Sequence, residues 1–246
     1  MNWNVHHRAE TRSTNLDALN GVHGDVFTAD FQTSGRGRLD HRWLSPSGVN
    51  LLMSAVLDVG GLEPQQAATL PLIVGFSVVK ALPREIRGGR VLLKWPNDVL
   101  IASRKVAGIL CERHGDNAVA GIGINVKEQS FPPEIASRAT FLGMDSVEEV
   151  RDQVLESLGR CYEKWRSEGF AAFHEEISEI DFLRGRIVAV RRTDDDAAPV
   201  RGLCGGITVS GALDIGGEEV YAGEAHVEEI KERIPSRPRE GNEDYE

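Results

Sequence analysis

The sequence predicts an α+β fold, in which a mixed, largely antiparallel sheet is backed by helices and followed by a small β-barrel. Short apolar runs separated by turn formers fill residues 91–126, and such short connections favour antiparallel neighbours because parallel strands need long crossovers. Amphipathic patterns at 64–82 and 146–166 predict two long helices. After residue 181 about five short β-rich segments follow one another, which is typical of a small barrel.

In the first half of the chain, Ser13, Thr14 and Asn15 precede a short apolar segment at 16–19 and could cap the first turn of a helix. Residues 25–31 alternate between two faces and predict a strand. Residues 48–59 are rich in Leu, Val and Met and predict a buried central strand. We expect these two strands to pair.

The apolar runs between 91 and 126 predict a meander of four strands, at 91–95, 99–102, 105–112 and 118–126. A further helix is predicted at 170–180, before the sequence changes to short β-rich segments. The barrel strands are predicted at 186–192, 200–203, 206–210, 212–215 and 219–221. We therefore divide the chain into a catalytic domain at 1–181, a barrel domain at 182–234 and a disordered, charge-rich tail at 235–246.

Composition excludes several classes of function. The formal net charge is −10, from 28 Lys and Arg against 38 Asp and Glu, which argues against the broad phosphate contacts of a DNA-binding protein. Cys111, Cys161 and Cys204 are odd in number and widely spaced, so we expect free thiols in a reducing compartment. No apolar stretch reaches the roughly 18 residues of a membrane span. A cytoplasmic location is predicted.

Residues 31–43, here named the Arg loop, read FQTSGRGRLDHRW and show no apolar periodicity. Gly35 and Gly37 would allow a tight turn whose N–H groups converge on an anion, and Arg36, Arg38 and Arg42 would add positive charge. Taken alone, the segment could equally be an exposed hairpin with solvated arginines. The loop is therefore a candidate anion site whose interpretation depends on its neighbours.

Common nucleotide and hydrolase motifs are missing from the sequence. There is no G-x-x-x-x-G-K-[ST] loop, and neither GRGRLD nor GIGINV completes G-x-G-x-x-G between a strand and a helix. The seven histidines are not at metal-ligand spacings, and no serine elbow is present. P-loop, dinucleotide-binding, serine hydrolase and metalloenzyme functions are therefore disfavoured.

Basic and polar residues recur at the predicted strand ends. Lys94 could be a lysine at a strand edge, and Asn97 and Asp98 could simply form a turn. Lys105 follows a tight turn and precedes Gly108, where a small residue allows a close approach of the backbone. If the strands pair in one sheet, these ends converge on one anionic ligand.

Five motifs then occur in the order that is typical of biotin protein ligases, which the chain resembles over roughly residues 11–215: STN at 13–15, QTSGRGR at 32–38 followed by Trp43, KWPNDVL at 94–100, KVAGIL at 105–110 and GIGINV at 121–126. The resemblance implies a catalytic domain like those of biotin ligases and class II aminoacyl-tRNA synthetases, followed by an SH3-like barrel. It also implies attack of the biotin carboxylate on ATP to give biotinyl-5′-AMP. A lysine of a biotin carboxyl carrier protein, such as that of acetyl-CoA carboxylase, then takes the biotin.

The resemblance assigns roles residue by residue. The catalytic residues would be Lys105, Arg36 and Arg38. Biotin would be bound by Ser13, Thr14, Asn15, Gln32, Gly35, Arg36, Trp43, Lys105 and Gly108. The nucleotide would be bound by Arg38, Lys94, Asn97, Asp98 and Asn125. The cofactors are ATP and Mg²⁺, and the ion would arrive on the ATP phosphates, since no metal ligand of the chain is identified.

Two features set this chain apart within the family pattern. Many members carry another Gly-Arg pair before the tryptophan, where this chain has Leu39, Asp40 and His41, so how tightly the Arg loop closes is left open. Twelve residues precede Ser13, too few for the DNA-binding domain of repressor-type members, so we expect the monofunctional type and no DNA or membrane partner. The resemblance also allows a homodimer. A lipoate or octanoate ligase and a non-catalytic anion-binding module stay open as alternatives.

Overall fold

The computed structural model describes residues 1–39, 41–191 and 198–228. Within these residues, eight strands form one sheet in the order β1-β2-β3-β8-β7-β6-β5-β4. Their bounds are β1 Asn4–Thr11, β2 Asp25–Gln32, β3 Asn50–Asp58, β4 Glu85–Ile86, β5 Gly89–Lys94, β6 Asp98–Ile101, β7 Arg104–His114 and β8 Asn117–Asn125. β1 and β2 are parallel, and the other pairs are antiparallel. The predicted mixed, largely antiparallel sheet is confirmed.

The centre of the sheet is the antiparallel pair β3 and β8. Its register runs from Asn50 opposite Asn125 to Asp58 opposite Asn117. Every residue of β3 except Asp58 is buried, as expected of a central strand with both faces covered. The predicted pairing of β2 with β3 is also present, and it is antiparallel.

The helices cover the sheet. They are α1 Thr14–Asp17, α2 Pro64–Ala68, α3 Leu70–Ala81, α4 Pro133–Ala136, α5 Val147–Glu168 and α6 His174–Ile180, with 3₁₀ turns at Ala18–Asn20 and Phe170–Phe173. The single helix predicted at 64–82 is interrupted at Thr69, because Pro71 lies in the first turn of α3 and restarts the helix. Within the described residues, no helix combines the length and the apolar character needed to cross a membrane.

α5 is the longest helix, and its start follows the capping rules. Ser146 Oγ accepts a hydrogen bond from the Glu149 backbone N–H at 3.1 Å, and Glu148 and Glu149 place negative charge at the helix N-terminus. Its buried face, which includes Val154, Leu158 and Trp165, packs with α3 into the main core. The prediction of this helix from its amphipathic pattern is confirmed.

Five strands form a second, antiparallel sheet in the order β12-β11-β10-β9-β13. They are β9 Ile187–Arg191, β10 Val200–Ile207, β11 Leu213–Ile215, β12 Glu218–Val220 and β13 Glu224–Val227. The separate strands predicted at 200–203 and 206–210 are wrong, because β10 continues through an irregularity at Cys204 and Gly206. β13 was not predicted. The predicted tail at 235–246 lies outside the described residues.

The two sheets share contacts and a continuous core. The Phe182 backbone N–H donates to the Leu93 carbonyl at 2.8 Å, and Trp95 Nε1 donates to the Gly211 carbonyl at 3.2 Å. Leu93, Trp95 and Phe182 belong to one core cluster together with residues of β9 and β10. The second sheet is therefore held against the end of β5, next to the predicted KWPNDVL motif.

Candidate active site

A cavity lies over one face of β7 and β8, where the Arg loop and β13 approach the large sheet. Its wall includes four groups of residues: the start of α1, the Arg loop, the ends of β5, β6 and β7, and the glycines of β8. The predicted site residues that line it are Ser13, Thr14, Asn15, Gln32, Arg36, Arg38, Trp43, Lys94, Asn97, Asp98, Lys105 and Gly108. Segments far apart in sequence thus meet at one site.

One part of the cavity wall is a buried polar network. The Thr14 backbone N–H and Oγ1 donate to Gln32 Oε1 at 2.7 and 3.1 Å. Ser54, fully buried on β3, donates to Asn15 Oδ1 at 2.6 Å and lies 2.7 Å from Thr14 Oγ1. Such a network fixes the rotamers of its members, because each buried polar atom needs its partner.

Ser13 is the N-cap residue of α1, but its side chain makes no capping hydrogen bond. The side chains of Ser13, Thr14 and Asn15 are all buried at the cavity wall. The interpretation of this segment as a helix cap is therefore wrong. Three buried polar side chains at the wall of a cavity can instead offer hydrogen-bonding groups to a ligand.

The floor of the cavity is made of glycines on neighbouring strands. Gly108 on β7 lies directly opposite Gly123 on β8, and the ring of Trp43 rests on this pair. A Cβ atom at Gly123 would lie 2.6 Å from Trp43 Cε2, and one at Gly108 would lie 3.1 Å from Trp43 Cζ3. Trp43 Nε1 is buried and has no hydrogen-bond partner among the described residues. The missing side chains make room for the indole ring.

Lys105 reaches the cavity because of an irregularity in β7. Val99 pairs with Ala107, but the next residue, Leu100, pairs with Lys105, so Val106 is an extra residue on β7. A bulge of this kind changes the face to which the following side chains point. The Lys105 ammonium consequently lies on the Gly108 side of the strand, 5.9 Å from the centre of the Trp43 ring.

Lys105 Nζ also lies 2.5 Å from Asp98 Oδ1. Asp98 Oδ1 is buried and accepts no hydrogen bond among the described residues, so the Lys105 ammonium is its electrostatic partner. The contact is short enough to orient the lysine within the cavity, and the Lys105 side chain remains 38% exposed. An anionic ligand could therefore reach the ammonium group from the open side.

Arg38 and Lys94 are further cations at the same site. Arg38 Nη1 donates to Asn97 Oδ1 and to the Gly223 carbonyl, both at 3.3 Å, so a residue of the Arg loop contacts the second sheet. Burial lowers the pKa of Arg38, and nearby Asp98 and Glu224 partly oppose this effect. Burial likewise lowers the pKa of Lys94. Cations in such a dry environment interact strongly with a bound anion.

The Arg loop folds back on itself across the cavity. The Trp43 N–H donates to the Gly35 carbonyl at 3.0 Å, and the Gly37 N–H donates to the His41 carbonyl at 2.6 Å. Arg36 Nη2 lies 3.0 Å from both carboxylate oxygens of Glu112. The predicted hairpin loop is therefore present, with one arginine attached to β7.

The described residues contain no group of three or more His, Cys, Asp and Glu side chains that could hold a metal ion. Mg²⁺ prefers several oxygen ligands in octahedral geometry. The described side chains of the site do not supply such a set, so they do not fit a resident Mg²⁺ ion.

Comparison with known proteins shows to which family the chain belongs. A profile described as the Biotin/lipoate A/B protein ligase family matches residues 9–128. The biotin--[acetyl-CoA-carboxylase] ligase of Paracoccus denitrificans is 32% identical over 233 residues, covering 85% of this chain and 92% of that protein. The chain belongs to the biotin protein ligase family.

A solved family member has the same fold over nearly its whole length. The biotin protein ligase from Aquifex aeolicus in complex with biotin and ATP superposes with a TM-score of 0.81 at 31% identity, covering 92% of this chain and 99% of that chain. The bifunctional ligase/repressor BirA of Bacillus spizizenii is 36% identical over 153 residues, which are 59% of this chain and 46% of that protein. The match thus spans about half the length of this longer relative.

Two of the residues that the family motifs single out are not in the cavity wall. Gly35 lines a neighbouring recess beside the Arg loop, and an added Cβ there would come within 2.6 Å of the Trp43 carbonyl oxygen. Asn125 is buried and donates to the Thr140 carbonyl at 2.9 Å, supporting the chain after α4. A nucleotide contact by Asn125 remains a prediction, and the position of its side chain is that of a supporting residue.

Several residues at the site were not predicted from the sequence. Ser54 is a single hydroxyl in an otherwise apolar strand, a signal that was available in the run GVNLLMSAVLDV. Gly121 and Gly123 alternate on β8, so they share the face of the sheet that lies under the cavity. Glu112 and Glu224 carry no such signal, because an acidic residue on an exposed strand end is ordinary.

Proposed function

We propose that this chain is a biotin protein ligase, which activates biotin with ATP to biotinyl-5′-AMP and transfers the biotinyl group to a lysine of a biotin carboxyl carrier protein. The observation that supports this most directly is a single cavity lined both by members of the buried polar network and by several cations, which include Arg38, Lys94 and Lys105. Family membership supports the same activity. The relatives in Paracoccus denitrificans and Aquifex aeolicus indicate that biotin and ATP are the ligands to test and that acetyl-CoA carboxylase is the acceptor to test.

The two parts of the cavity suit the two ends of biotin. Ser13, Thr14 and Gln32 can exchange hydrogen bonds with a ureido group, which has both N–H donors and a carbonyl acceptor. The Trp43 ring on its glycine floor offers an apolar surface to the fused rings. The carboxylate would then lie toward Lys105, in the part of the cavity that carries positive charge.

Adenylate formation brings a carboxylate against the α-phosphate of ATP, and the mutual repulsion of the two anions opposes the attack. Lys105, with Arg38 and Lys94 nearby, would offset this repulsion and stabilise the charge that develops on the pentacovalent phosphorus and on pyrophosphate. The carboxylate oxygen forms the new bond to phosphorus as the bond to pyrophosphate breaks. Arg36 would contribute from the Arg loop.

The product of the first step is a mixed anhydride, which water hydrolyses. The Arg loop lies over the cavity and would shield this anhydride until the carrier lysine arrives. The neutral lysine amine then attacks the acyl carbon and AMP leaves. This second step needs access for one side chain of the carrier at the edge of the loop.

The domain assignment belongs to the same proposal. We assign 1–181 to catalysis and 182–234 to an SH3-like barrel, whose described part is the five-stranded sheet. The contact between Arg38 and the Gly223 carbonyl supports a role for this second unit in closing the site.

The three free cysteines suit a cytoplasmic location. A homodimer through the open edge at β1 would be tested by analytical ultracentrifugation.

The proposal is tested by incubating the protein with biotin and Mg-ATP and then identifying the retained ligand by mass spectrometry. Retained biotinyl-5′-AMP is the expected result, and a carrier domain should gain one biotinyl group on a lysine. Pyrophosphate release should also be measured with biotin, lipoate and octanoate in parallel. Turnover with lipoate or octanoate but not biotin would reassign the acid, and ligand binding without any adenylate would identify a non-catalytic binding module.

A further inference from the structure

We propose that Glu112 is a positioning residue that fastens the Arg loop over the cavity by holding Arg36 and Asn15 together. The inference rests on the proposed function only for its effect on the adenylate. The contact itself is a property of the fold, and it can be tested without any substrate.

Glu112 lies between the Arg loop and α1 and contacts both. Arg36 Nη2, on the Arg loop, lies 3.0 Å from both Oε1 and Oε2 of Glu112. Asn15 Nδ2, on α1, donates to Glu112 Oε2 at 2.7 Å. Asn15 is held in turn by Ser54 on β3 at 2.6 Å. The loop is thereby connected to the centre of the sheet through one carboxylate.

The position of Glu112 on β7 explains why it can make this connection. Gly108, Leu110 and Glu112 alternate along one face of the strand, and Gly108 and Leu110 line the main cavity. Leu110 and Arg36 also line a second recess beside the loop, together with Glu112. Glu112 thus continues the cavity wall and meets the loop where it crosses β7.

The contact with Asn15 distinguishes this ion pair from an ordinary surface pair. The Arg36 side chain is 47% exposed, but the Glu112 side chain is 27% exposed and accepts from a neutral amide as well as from the guanidinium. An exposed pair between two long, free side chains contributes little, because their ordering offsets the attraction. Here Asn15 already fixes the Glu112 carboxylate. Binding of Arg36 therefore costs less conformational entropy than pairing of two free side chains.

The functional consequence concerns retention of the reactive intermediate. While Glu112 holds Arg36, the loop main chain from Gly35 to Gly37 stays against the cavity, and release of the mixed anhydride requires this contact to break. Loss of the carboxylate should therefore speed opening of the loop. We expect biotinyl-5′-AMP to escape earlier and to acylate free amines in solution.

The direct test compares trypsin cleavage of the Arg loop in wild type and in Glu112→Ala without any ligand. Cleavage after Arg36, Arg38 or Arg42 should be roughly tenfold faster in the variant, since a charge-assisted contact that holds the loop is lost. Glu112→Gln keeps one acceptor oxygen and should give an intermediate rate. Equal cleavage of wild type and Glu112→Ala would overturn the proposal.

Glu176→Gln is the matched control. It removes a carboxylate that pairs with Lys80 at 3.0 Å on the surface, away from the cavity, and it should leave loop cleavage unchanged. Thermal unfolding must show that Glu112→Ala is folded. If it is not, the comparison between wild type and Glu112→Gln decides the question, and equal cleavage rates there would equally refute the role.

A second readout follows the adenylate in the same proteins. The half-life of retained biotinyl-5′-AMP should fall roughly tenfold in Glu112→Ala, with a matching rise in biotin transfer to a small free amine. An unchanged half-life would overturn the functional part of the inference. If wild type itself forms no adenylate, the proposed function fails, whereas the substrate-free cleavage experiment still decides whether Glu112 holds the loop.

Discussion

Replacing Gly123 with alanine tests whether the glycine floor determines ligand binding. The added Cβ would lie 2.6 Å from Trp43 Cε2 and 2.8 Å from Cζ2, where ordinary contacts are above about 3.4 Å. The indole ring must therefore move into the cavity by several tenths of an ångström. Overpacking of this kind typically costs about 1–3 kcal/mol. Applied to the bound state, this cost corresponds to roughly 5- to 150-fold weaker biotin binding.

Isothermal titration calorimetry with biotin measures this effect, and thermal unfolding measures the accompanying change in stability. Alanine is favoured over glycine in a strand by about 0.5–1 kcal/mol, which partly offsets the strain in the fold, so the variant should remain folded. Gly202→Ala is the control, because that strand glycine lies in the second sheet and its Cβ would meet Ile215 Cγ2 at 3.2 Å and no other atom nearer than 3.8 Å. A dissociation constant for Gly123→Ala within about twofold of wild type would refute the role of the glycine floor.

Three further outcomes are expected. Lys105→Ala should slow pyrophosphate release about 10- to 100-fold by removing one charged contact; wild-type activity would contradict its role. The variant should stay folded but unfold at a lower temperature, because the buried Asp98 Oδ1 loses its electrostatic partner. Ser54→Ala should weaken biotin binding in calorimetry by about 1–3 kcal/mol, whereas Ser77→Ala, at an equally buried serine outside the cavity, should affect stability alone. Burial raises the pKa of Asp181, so the folded state keeps this proton to higher pH than the unfolded chain. Relative to Asp181→Asn, wild type should lose stability as the pH rises from about 4 through the raised pKa, measured by urea unfolding at several pH values; a difference that stays constant with pH would exclude this titration.

The central strands could be predicted because burial imposes a simple pattern on their residues. β3 is buried on both faces, so the run at 48–59 is almost continuously apolar. β1 escaped prediction for the opposite reason, since seven of its eight residues are exposed and two are histidines. Its strand conformation depends on parallel pairing with β2, which is a long-range contact. β13 also escaped prediction, because it has only four residues and two of them are exposed.

The site was predictable as a set of motifs but not as a geometry. The motifs indicate which residues converge, because four of them fall at a strand end or in a glycine-rich loop and the fifth, STN, lies at the start of α1. The extra residue at Val106, which brings Lys105 to the face of Gly108, follows from the register of β7 against β6 and has no signature in the sequence KVAGIL. The partner of Arg36 could not be predicted either, since Glu112 lies 76 positions away along the chain.

The described structure also indicates how an acidic protein can bind an anionic nucleotide. Lys105 lies beside Asp98, Arg36 beside Glu112, and Arg38 near Asp98 and Glu224. These carboxylates keep the cations ordered and reduce the cost of burying several positive charges together. Binding of the triphosphate would then exchange a carboxylate for a phosphate at Lys105 and Arg38, while Glu112 keeps Arg36. Affinity should consequently depend on how readily each carboxylate gives up its cation, and less on the net charge of −10. The Glu112 carboxylate is also held by Asn15, so Glu112 should release Arg36 more slowly than Asp98 releases Lys105. Opening of the Arg loop should therefore be slower than the exchange of anionic partners at Lys105.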